Sequence, residues 1–367
     1  MRITHLAIAT CFLIANSATG FEVGEKVVVV HQTSLEGDEK CPLSPGTPLE
    51  VAAVKGNLLW VSHLHAGWLD QTHVVSLEQG EGIISELIAK NPTRSSLYVG
   101  RAYVRKAKND LDHAVEDCNK ALAIEEKNAK AYACRGMVRL QQGDLRTAVA
   151  DLDSSVRCDP SYPHGHCYRG ILFTLKDEIE SAMTEYDVAT NLDPTFAYAY
   201  YCRARAWARA GEDVRAIASL NEAIRLDRYH HDAFVDRGLI WYTHFEFSNA
   251  IADLSEASRI IPTQPGPRLN LAMIWATCPD RKFRDGTKAI EYAKAACEDT
   301  KWASPKYVTV LAASYAEAGQ FEEAVRWQQK AIEMSLPAKD QEFERALELF
   351  RNKKPYRVQQ QYEFKVH

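Results

Sequence analysis

The chain has 367 residues, of which 46% are hydrophobic and 25% are charged, and these proportions are ordinary for a folded protein. They exclude a disordered chain. A formal net charge of -5 at pH 7 excludes a general nucleic-acid binder, which normally carries a strongly basic surface, so we expect no nucleic-acid partner.

The first segment, residues 1–20, has the order of a secretory signal peptide. Arg2 precedes an apolar run over residues 6–15, and small residues follow at 17–20. The run is shorter than the roughly 20 residues that a membrane-spanning helix needs. We therefore expect cleavage after Gly20 and export to the periplasm or the extracellular space. Cys11 leaves a lipoprotein signal open as an alternative, although Thr10 before it fits such a signal poorly.

Residues 21–78 alternate between polar and β-branched or apolar side chains, which predicts a small sheet of short strands. The stretch Gly46 to Val54, Leu59-Trp60-Val61 and the pair Gly67-Trp68 resemble a bacterial SH3-like barrel. The resemblance implies binding of a proline-rich peptide or cell-wall material in an aromatic groove that Trp60 and Trp68 would line. The alternative is that Trp60 fills the barrel core and Trp68 packs at the start of a strand.

Residues 79–94 carry an apolar-periodic helix, Gly80 to Lys90, that ends at Asn91-Pro92. Pro92 precedes Pro160 by two periods of the 34-residue repeat that begins at residue 95. The helix is therefore in phase with the repeat, and we expect it to cap the first repeat unit.

From residue 95 the sequence has a 34-residue period that recurs five times. Columns of small residues at fixed places on two helices mark close helix crossings. The repeated columns are Arg101, Arg135, Arg169, Arg203 and Arg237; Ala114, Ala148, Ala182, Ala216 and Ala250; Ala102, Gly136, Gly170, Ala204 and Gly238; and Ala121, Ser155, Ala189, Ala223 and Ala257.

This pattern resembles the tetratricopeptide repeat (TPR), a 34-residue pair of antiparallel helices that needs a neighbour to bury its apolar face. The resemblance implies a mainly α fold: a right-handed α-solenoid of about seven helical hairpins with capping helices, preceded by the SH3-like barrel. We expect five regular units over 95–264, a unit with a turn about five residues longer over 265–304, a seventh unit over 305–338, and a capping helix and tail over 339–367. The long-turn unit is similar to the C-terminal part of exported bacterial TPR proteins.

The arginine column predicts a ladder of ion pairs between the two helices of each unit. At a constant offset of sixteen positions after the five arginines lie Asp117, Asp151, Glu185, Ser219 and Asp253. Forked pairs of this kind are geometrically specific. Arg203 faces Ser219 instead of a carboxylate, so we expect Arg203 to be the arginine that is free for a ligand.

The resemblance implies that the concave groove is lined by one face of the first helix of each unit. That face selects Val99, Tyr103, Lys106, Lys130, Met137, His164, Ile171, Tyr198, Tyr201, Arg205, Arg209, Leu239 and Tyr242. We take Tyr103, Lys106, Lys130, Tyr198, Tyr201, Arg203, Arg205, Arg209 and Tyr242 as the candidate peptide-binding residues. Tyrosine and arginine dominate binding hot spots, and a basic groove favours an acidic peptide or a C-terminal carboxylate. The alternative is an ordinary solvated groove without a single ligand.

No phosphate-binding loop, nucleophile elbow or zinc-protease motif is present in the sequence. We therefore predict a non-enzymatic protein with no cofactor, no metal and no small-molecule substrate. The cysteines after residue 20 occupy apolar repeat positions or lie too far apart for disulfides, and we expect free buried thiols.

The predicted function is an exported protein-protein interaction scaffold that binds an unidentified protein or peptide partner in its concave groove. The alternative is a cell-envelope binding module whose SH3-like domain recognises wall polymer or a Pro-rich peptide, with the repeats as a spacer.

Overall fold

The structure, a computed structural model, describes residues 25–29, 33–34, 42–43, 48–55, 58–62, 66–70, 74–335 and 340–358. Its strands are β1 (Lys26–Val29), β2 (Thr33–Ser34), β3 (Pro42–Leu43), β4 (Pro48–Lys55), β5 (Leu58–Ser62), β6 (Ala66–Asp70) and β7 (Val74–Ser76). Its helices are α1 (Leu77–Lys90), α2 (Ser95–Ala107), α3 (Leu111–Ile124), α4 (Ala129–Gln141), α5 (Leu145–Cys158), α6 (Pro163–Leu175), α7 (Ile179–Leu192), α8 (Ala197–Arg209), α9 (Asp213–Leu226), α10 (His231–Thr243), α11 (Phe247–Ile260), α12 (Pro265–Thr277), α13 (Gly286–Asp299), α14 (Pro305–Glu317), α15 (Phe321–Ser335) and α16 (Gln341–Arg351). The predicted signal peptide and Cys11 lie outside the described residues.

Helices α2 to α15 form seven antiparallel pairs, so the chain is a mainly helical, TPR-like solenoid. We call the first helix of each pair its A helix. The turn inside each of the first five pairs has one residue in the left-handed region, and these turn residues keep the period of the repeat. They are Asn109, Gly143, Asp177, Gly211 and Phe245. Glycine, asparagine and aspartate tolerate that conformation. The turn column therefore varies in residue type while keeping one backbone shape.

The column of small residues places the two helices of a unit in close contact. A Cβ added to Gly136 would lie 2.8 Å from Leu152, and one added to Gly170 would lie 2.7 Å from the Tyr186 ring. Each large residue lies on the second helix of the same unit as its glycine. The small column thus sets the helix spacing, as the sequence predicted.

The arginine ladder is confirmed for the four arginines that have a carboxylate 16 residues later. Arg101 and Asp117 are 2.7 Å apart, and Arg237 and Asp253 are also 2.7 Å apart. Each arginine of the column additionally donates to an acceptor 16 residues earlier, on the preceding helix. These acceptors are Ser85, Asn119, Asp153, Asp187 and Asn221. The ladder therefore ties successive units together as well as the two helices within a unit.

The sixth pair is lengthened by five residues, because α13 begins at Gly286 where the 34-residue period would place its start at 281. A short 3-10 helix, Arg281–Phe283, fills the extra turn. Arg284, which follows it, donates to the carbonyl oxygen of Cys278 at 3.1 Å and pairs with Glu317 of α14 at 3.1 Å. The insertion thus fastens the sixth pair to the seventh.

The C-terminal segment folds back onto the last A helices. Arg357 lies 2.5 Å from Glu317 and donates to the carbonyl oxygen of Ala276 at 3.2 Å. The Val358 amide donates to the Thr277 carbonyl oxygen at 3.1 Å. Together with α16, this segment covers the face of α12 and α14 that corresponds to the groove face of the earlier units.

The N-terminal strands form a five-stranded antiparallel sheet in the order β6-β5-β4-β1-β7, with β2 and β3 as a separate pair. A β-bulge lies between Val51 and Ala53 of β4. Val27 and Val29 belong to the core of the sheet, whereas Val28, on the opposite face of β1, packs with Ile84 of α1 and other apolar residues of the array. The strand order is described, and the SH3-like identity of the sheet stays a prediction.

The described part of the chain contains no helix that is long and apolar enough to cross a membrane. All its cysteines are free thiols, and they are buried except Cys158, which is half-buried.

Candidate functional site

The described residues form a half-open cavity of about 610 Å³, which we call the central cavity. Helices α2, α4 and α8 contribute Tyr103, Lys106, Gln141, Tyr198 and Tyr201. The connections after α9 and α11 contribute further residues, and the sheet contributes Lys26 and Leu49. The cavity is therefore lined by the first, second, fourth and fifth helix pairs with the connections that follow the last two, and by the sheet.

Tyrosine and histidine rings form one wall of the central cavity. The ring centroids of Tyr201 and His230 are 4.6 Å apart, and those of Tyr198 and Tyr201 are 6.2 Å apart. His230 caps α10 by accepting from the Ala233 amide at 3.3 Å, and burial lowers its pKa, so the ring is neutral at pH 7. An uncharged aromatic wall suits apolar or aromatic side chains of a ligand.

Lys106 faces the central cavity from the last turn of α2. Burial lowers the pKa of its ammonium group, and the nearby charge of Lys26 lowers it further. Tyr103, one turn earlier, is also buried enough that its pKa is raised well above the usual value. The α2 side of the cavity thus presents a half-buried lysine next to a half-buried tyrosine.

A smaller cavity of about 240 Å³, the side cavity, lies between α8, α9 and α10. Arg205 and Asp236 line it, and the Arg205 guanidinium lies 5.9 Å from the centre of the Tyr201 ring. Burial raises the pKa of Asp236 to about 6, although Arg205 and the Tyr201 hydroxyl act in the opposite direction. The side cavity therefore holds a carboxyl group that titrates close to neutral pH.

Four of the nine predicted groove residues line the central cavity: Tyr103, Lys106, Tyr198 and Tyr201. The other five do not line it. Lys130 is exposed on α4. Arg209 pairs with Asp177 at 2.9 Å, and both side chains are exposed. The Tyr242 ring packs edge-on against Phe247 at 6.0 Å, with its hydroxyl buried.

The expectation that Arg203 is free for a ligand is wrong. Its Nη1 donates to Asp187 Oδ1 at 2.9 Å, its Nε donates to Ser219 Oγ at 3.2 Å, and it lies over the Tyr200 ring at 5.0 Å. The carboxylate that unit four lacks is supplied by the second helix of unit three. Arg203 therefore joins neighbouring helices through hydrogen bonds, as the other arginines of the column do.

Cavity residues outside the A helices were not predicted from the sequence. These are Lys26 and Leu49 of the sheet, Asp227, Tyr229 and His230 between α9 and α10, and Ile261 and Gln264 between α11 and α12. His231 and Asp232, the first residues of α10, line the cavity and were not predicted either. One signal was available: the fourth unit has Arg228 where units two, three and five have a closing proline, and aromatic and histidine residues follow it.

Trp60 and Trp68 are opposite each other in the pairing of β5 with β6. The aromatic groove predicted between these two tryptophans depends on their side chains, which are not among the described parts of the structure. The groove therefore stays a prediction. In the described residues no three His, Cys, Asp or Glu side chains are grouped to hold a metal ion.

Comparisons with known proteins agree with the repeat geometry. Residues 95–128 match the family model described as the tetratricopeptide repeat. A structure from the functional characterisation of Pseudomonas aeruginosa pilF has a TM-score of 0.52 and 18% identity, with 62% of this chain and 99% of that chain covered. The APC/C hetero-tetramer Cut9-Hcn1 gives a TM-score of 0.50 and 18% identity, with 75% of this chain and 52% of that chain covered. The chain thus spans about half the length of the Cut9-Hcn1 chain. No curated protein sequence matches it.

The matched unit covers one helix pair, and the later helix pairs continue it in phase. At 18% identity the two solved structures show the fold alone. The TPR fold suggests a protein-protein interaction scaffold with a protein or peptide partner.

Proposed function

We propose that the central cavity holds a short segment of a partner protein and that the chain acts as a non-enzymatic scaffold. The observation that carries this proposal is the aromatic wall of Tyr198, Tyr201 and His230 inside a cavity of about 610 Å³. Pockets of roughly 300–1,000 Å³ bury ligands of drug size. A short peptide stretch fits that volume, whereas a folded domain does not.

The open length of the groove also supports a segment rather than a long polypeptide. The sheet bounds it at the first helix pair, and α16 with residues 354–358 covers the corresponding face of the sixth and seventh pairs. A ligand therefore has access to the inner face of the first five pairs.

Photo-crosslinking in the full chain tests this proposal. Replacing Tyr198 by p-benzoyl-phenylalanine keeps an aromatic group in the cavity wall, and we expect it to capture a discrete partner segment identifiable by mass spectrometry. Val214 is 83% exposed and lies outside the cavity, so the same replacement there is the matched control. Equal capture at both positions would refute binding in the groove.

The alternative function, in which the sheet alone carries specificity and the repeats are a spacer, is not favoured. Lys26 and Leu49 of the sheet line the same cavity as Tyr103 and Tyr198 of the repeats. If the repeats were only a spacer, the binding surface would belong to the sheet alone. A cavity lined by both the sheet and the repeats does not fit that role.

We also propose that the protein acts outside the cytoplasm, in the periplasm or the extracellular space. This rests on residues 1–20 of the sequence alone. The intact mass of the protein recovered from its producing cells tests it: we expect a chain that begins at Phe21, and a retained Met1 would refute export by cleavage.

A further inference from the structure

The end of α12 differs from the end of every other A helix in the array. In the other six pairs the turn residue in the left-handed region donates its amide to the helix carbonyl oxygen three positions earlier, as Asn109 does to Lys106 at 3.0 Å. The equivalent donors of the later pairs are Gly143, Asp177, Gly211, Phe245 and Gly319. In the sixth pair the chain instead leaves the helix at Cys278 with a φ of -54° and a ψ of 132°. Ala276, which corresponds to Lys106, therefore needs a hydrogen-bond donor from elsewhere.

The C-terminal segment supplies the donors for this helix end. Arg357 Nη1 donates to the Ala276 carbonyl oxygen at 3.2 Å, and the Val358 amide donates to the Thr277 carbonyl oxygen at 3.1 Å. The carbonyl groups at the C-terminus of a helix carry a partial negative charge, so a cationic donor is favoured there. The lengthened turn thus creates a surface that accepts hydrogen bonds, and an arginine occupies it.

Glu317 of α14 is a further acceptor on the same surface. It pairs with Arg284 of the lengthened turn through Oε1 at 3.1 Å and with Arg357 through Oε2 at 2.5 Å. Its side chain is only 14% exposed. Removal of Arg357 would leave Oε2 without that charged partner in a poorly hydrated place, which is costly. An arginine fits this surface best, because its several N–H groups can reach a carboxylate and a carbonyl oxygen together.

The residues on either side of Arg357 contact the groove face of α12 and α14. Tyr356 and Val358 line a small cavity there together with Met273 and Val310. The Tyr356 hydroxyl donates to Glu342 Oε2 at 3.2 Å. The surface therefore fits a segment in which an aromatic residue, an arginine and an aliphatic residue follow one another.

The C-terminal segment is packed less tightly than the helices that it covers. Residues 355–358 are half-buried, whereas Phe350 of the preceding helix is 1% exposed. Lys353, which turns the segment back from α16, has a φ of 52°, a left-handed conformation that is unfavourable for lysine. A segment of another polypeptide could make the same contacts without this turn.

We propose that Ala276, Thr277 and Glu317 form a docking surface for a partner segment with the order aromatic, arginine, aliphatic, and that Tyr356-Arg357-Val358 occupies this surface in the free protein. The three residues do not line the central cavity, so the surface is a second site beyond the proposed function. A tethered segment has a high effective concentration. The chain's own segment therefore lowers the apparent affinity for the partner by the fraction of molecules in which it occupies the surface.

The test uses the full chain and a fluorescein-labelled, amidated peptide with the sequence of residues 353–358, Lys-Lys-Pro-Tyr-Arg-Val. Its counterpart with citrulline in place of arginine keeps the shape and removes the charge. Fluorescence anisotropy measures the affinity of both peptides. We expect the arginine peptide to bind about tenfold more tightly than the citrulline peptide, since a hydrogen bond between charged groups is lost in the second.

Arg357→Ala in the protein weakens the competing segment and should raise the affinity for the arginine peptide about tenfold. Arg351→Ala is the matched control, because Arg351 is exposed at the end of α16 and the same charge is removed. Glu317→Gln should abolish the preference for arginine over citrulline. Circular dichroism at 222 nm checks that each variant is folded.

Hydrogen exchange in the wild type tests displacement without any substitution. Saturating arginine peptide should accelerate amide exchange in residues 354–358, because a bound peptide leaves them no place on the surface. A segment with a purely structural role would not respond.

The proposal would be overturned if the arginine peptide failed to bind folded Arg357→Ala, if it bound the wild type and Arg357→Ala equally, or if exchange in residues 354–358 stayed unchanged at saturation. Light scattering separates a further occupant. Wild-type dimers that dissociate when the peptide is added would show that two copies of the chain exchange this segment, which would overturn a separate partner.

Discussion

Replacement of Asp236 by Asn tests the electrostatics of the side cavity. Burial raises the pKa of Asp236 from its ordinary 3.8 to about 6 in the folded protein. The folded protein therefore binds this proton more tightly than the unfolded chain does, and the bound proton stabilises the folded state. This stabilisation is fully present below about pH 4, where Asp236 is protonated in both states. It is lost as the pH rises through 6. The difference between 3.8 and about 6 corresponds to about 3 kcal/mol of stability lost by pH 7.

We expect Asp236→Asn to match the wild type at pH 4 and to be more stable at pH 7 by up to about 3 kcal/mol, because asparagine carries no charge to bury. Urea denaturation between pH 4 and pH 7, followed by circular dichroism at 222 nm, measures the difference. Asp232→Asn is the control on the same helix. The hydrogen bond with His231 lowers the pKa of Asp232, so its contribution to stability is already present above about pH 4. Asp232→Asn should therefore be less stable than the wild type by a nearly constant amount between pH 4 and pH 7. Parallel pH profiles of wild type and Asp236→Asn would refute the reasoning.

Two further predictions concern packing of the array. Gly170→Ala should destabilise the protein by about 1–3 kcal/mol, since its Cβ would lie 2.7 Å from the Tyr186 ring. Gly82→Ala is the matched control on the exposed face of α1. A Cβ there would have nothing within 4 Å, so this change should stabilise the protein by up to about 1 kcal/mol. Denaturation midpoints of the two variants check the opposite signs, and a shift of the same sign would contradict the close helix crossing at Gly170. Arg357→Ala removes the 2.5 Å pair with Glu317 and should make the C-terminal segment more sensitive to limited proteolysis; an unchanged cleavage rate would show that this pair does not hold the segment.

The repeat phase and the ladder could be predicted from the sequence because both depend on local, periodic geometry. A residue and its partner 16 positions later lie on facing helices of one hairpin in every unit, so one spacing describes all of them. The carboxylate partner of Arg203 was not predicted, because the spacing of 16 residues toward the C-terminus reaches Ser219. The backward spacing, which reaches Asp187, is equally regular and is present in the sequence.

The composition of the cavity was harder to predict, because it depends on how successive units rotate relative to one another. Small rotations between units add up along a solenoid, and the groove face cannot be derived from one unit. Tyr198 and Tyr201 were found on the A-helix face, but Arg205 on the same helix faces the side cavity. Lys26 lies far from Lys106 in the sequence, and no periodic signal connects a strand of the sheet with a helix of the array.

The position of the sheet changes what the 34-residue array means for function. An array alone offers an open groove with similar chemistry along its length, because its repeated columns serve mainly to hold helices together. Here the ladder neutralises the repeated arginines, and the C-terminal segment covers the groove face at the sixth and seventh pairs. What distinguishes one part of the groove from another is therefore non-repeated: the connection at His230 and the strand that begins at Lys26. The proposed specificity of this protein follows from those interruptions, since a repeated feature cannot fix the register of a bound segment.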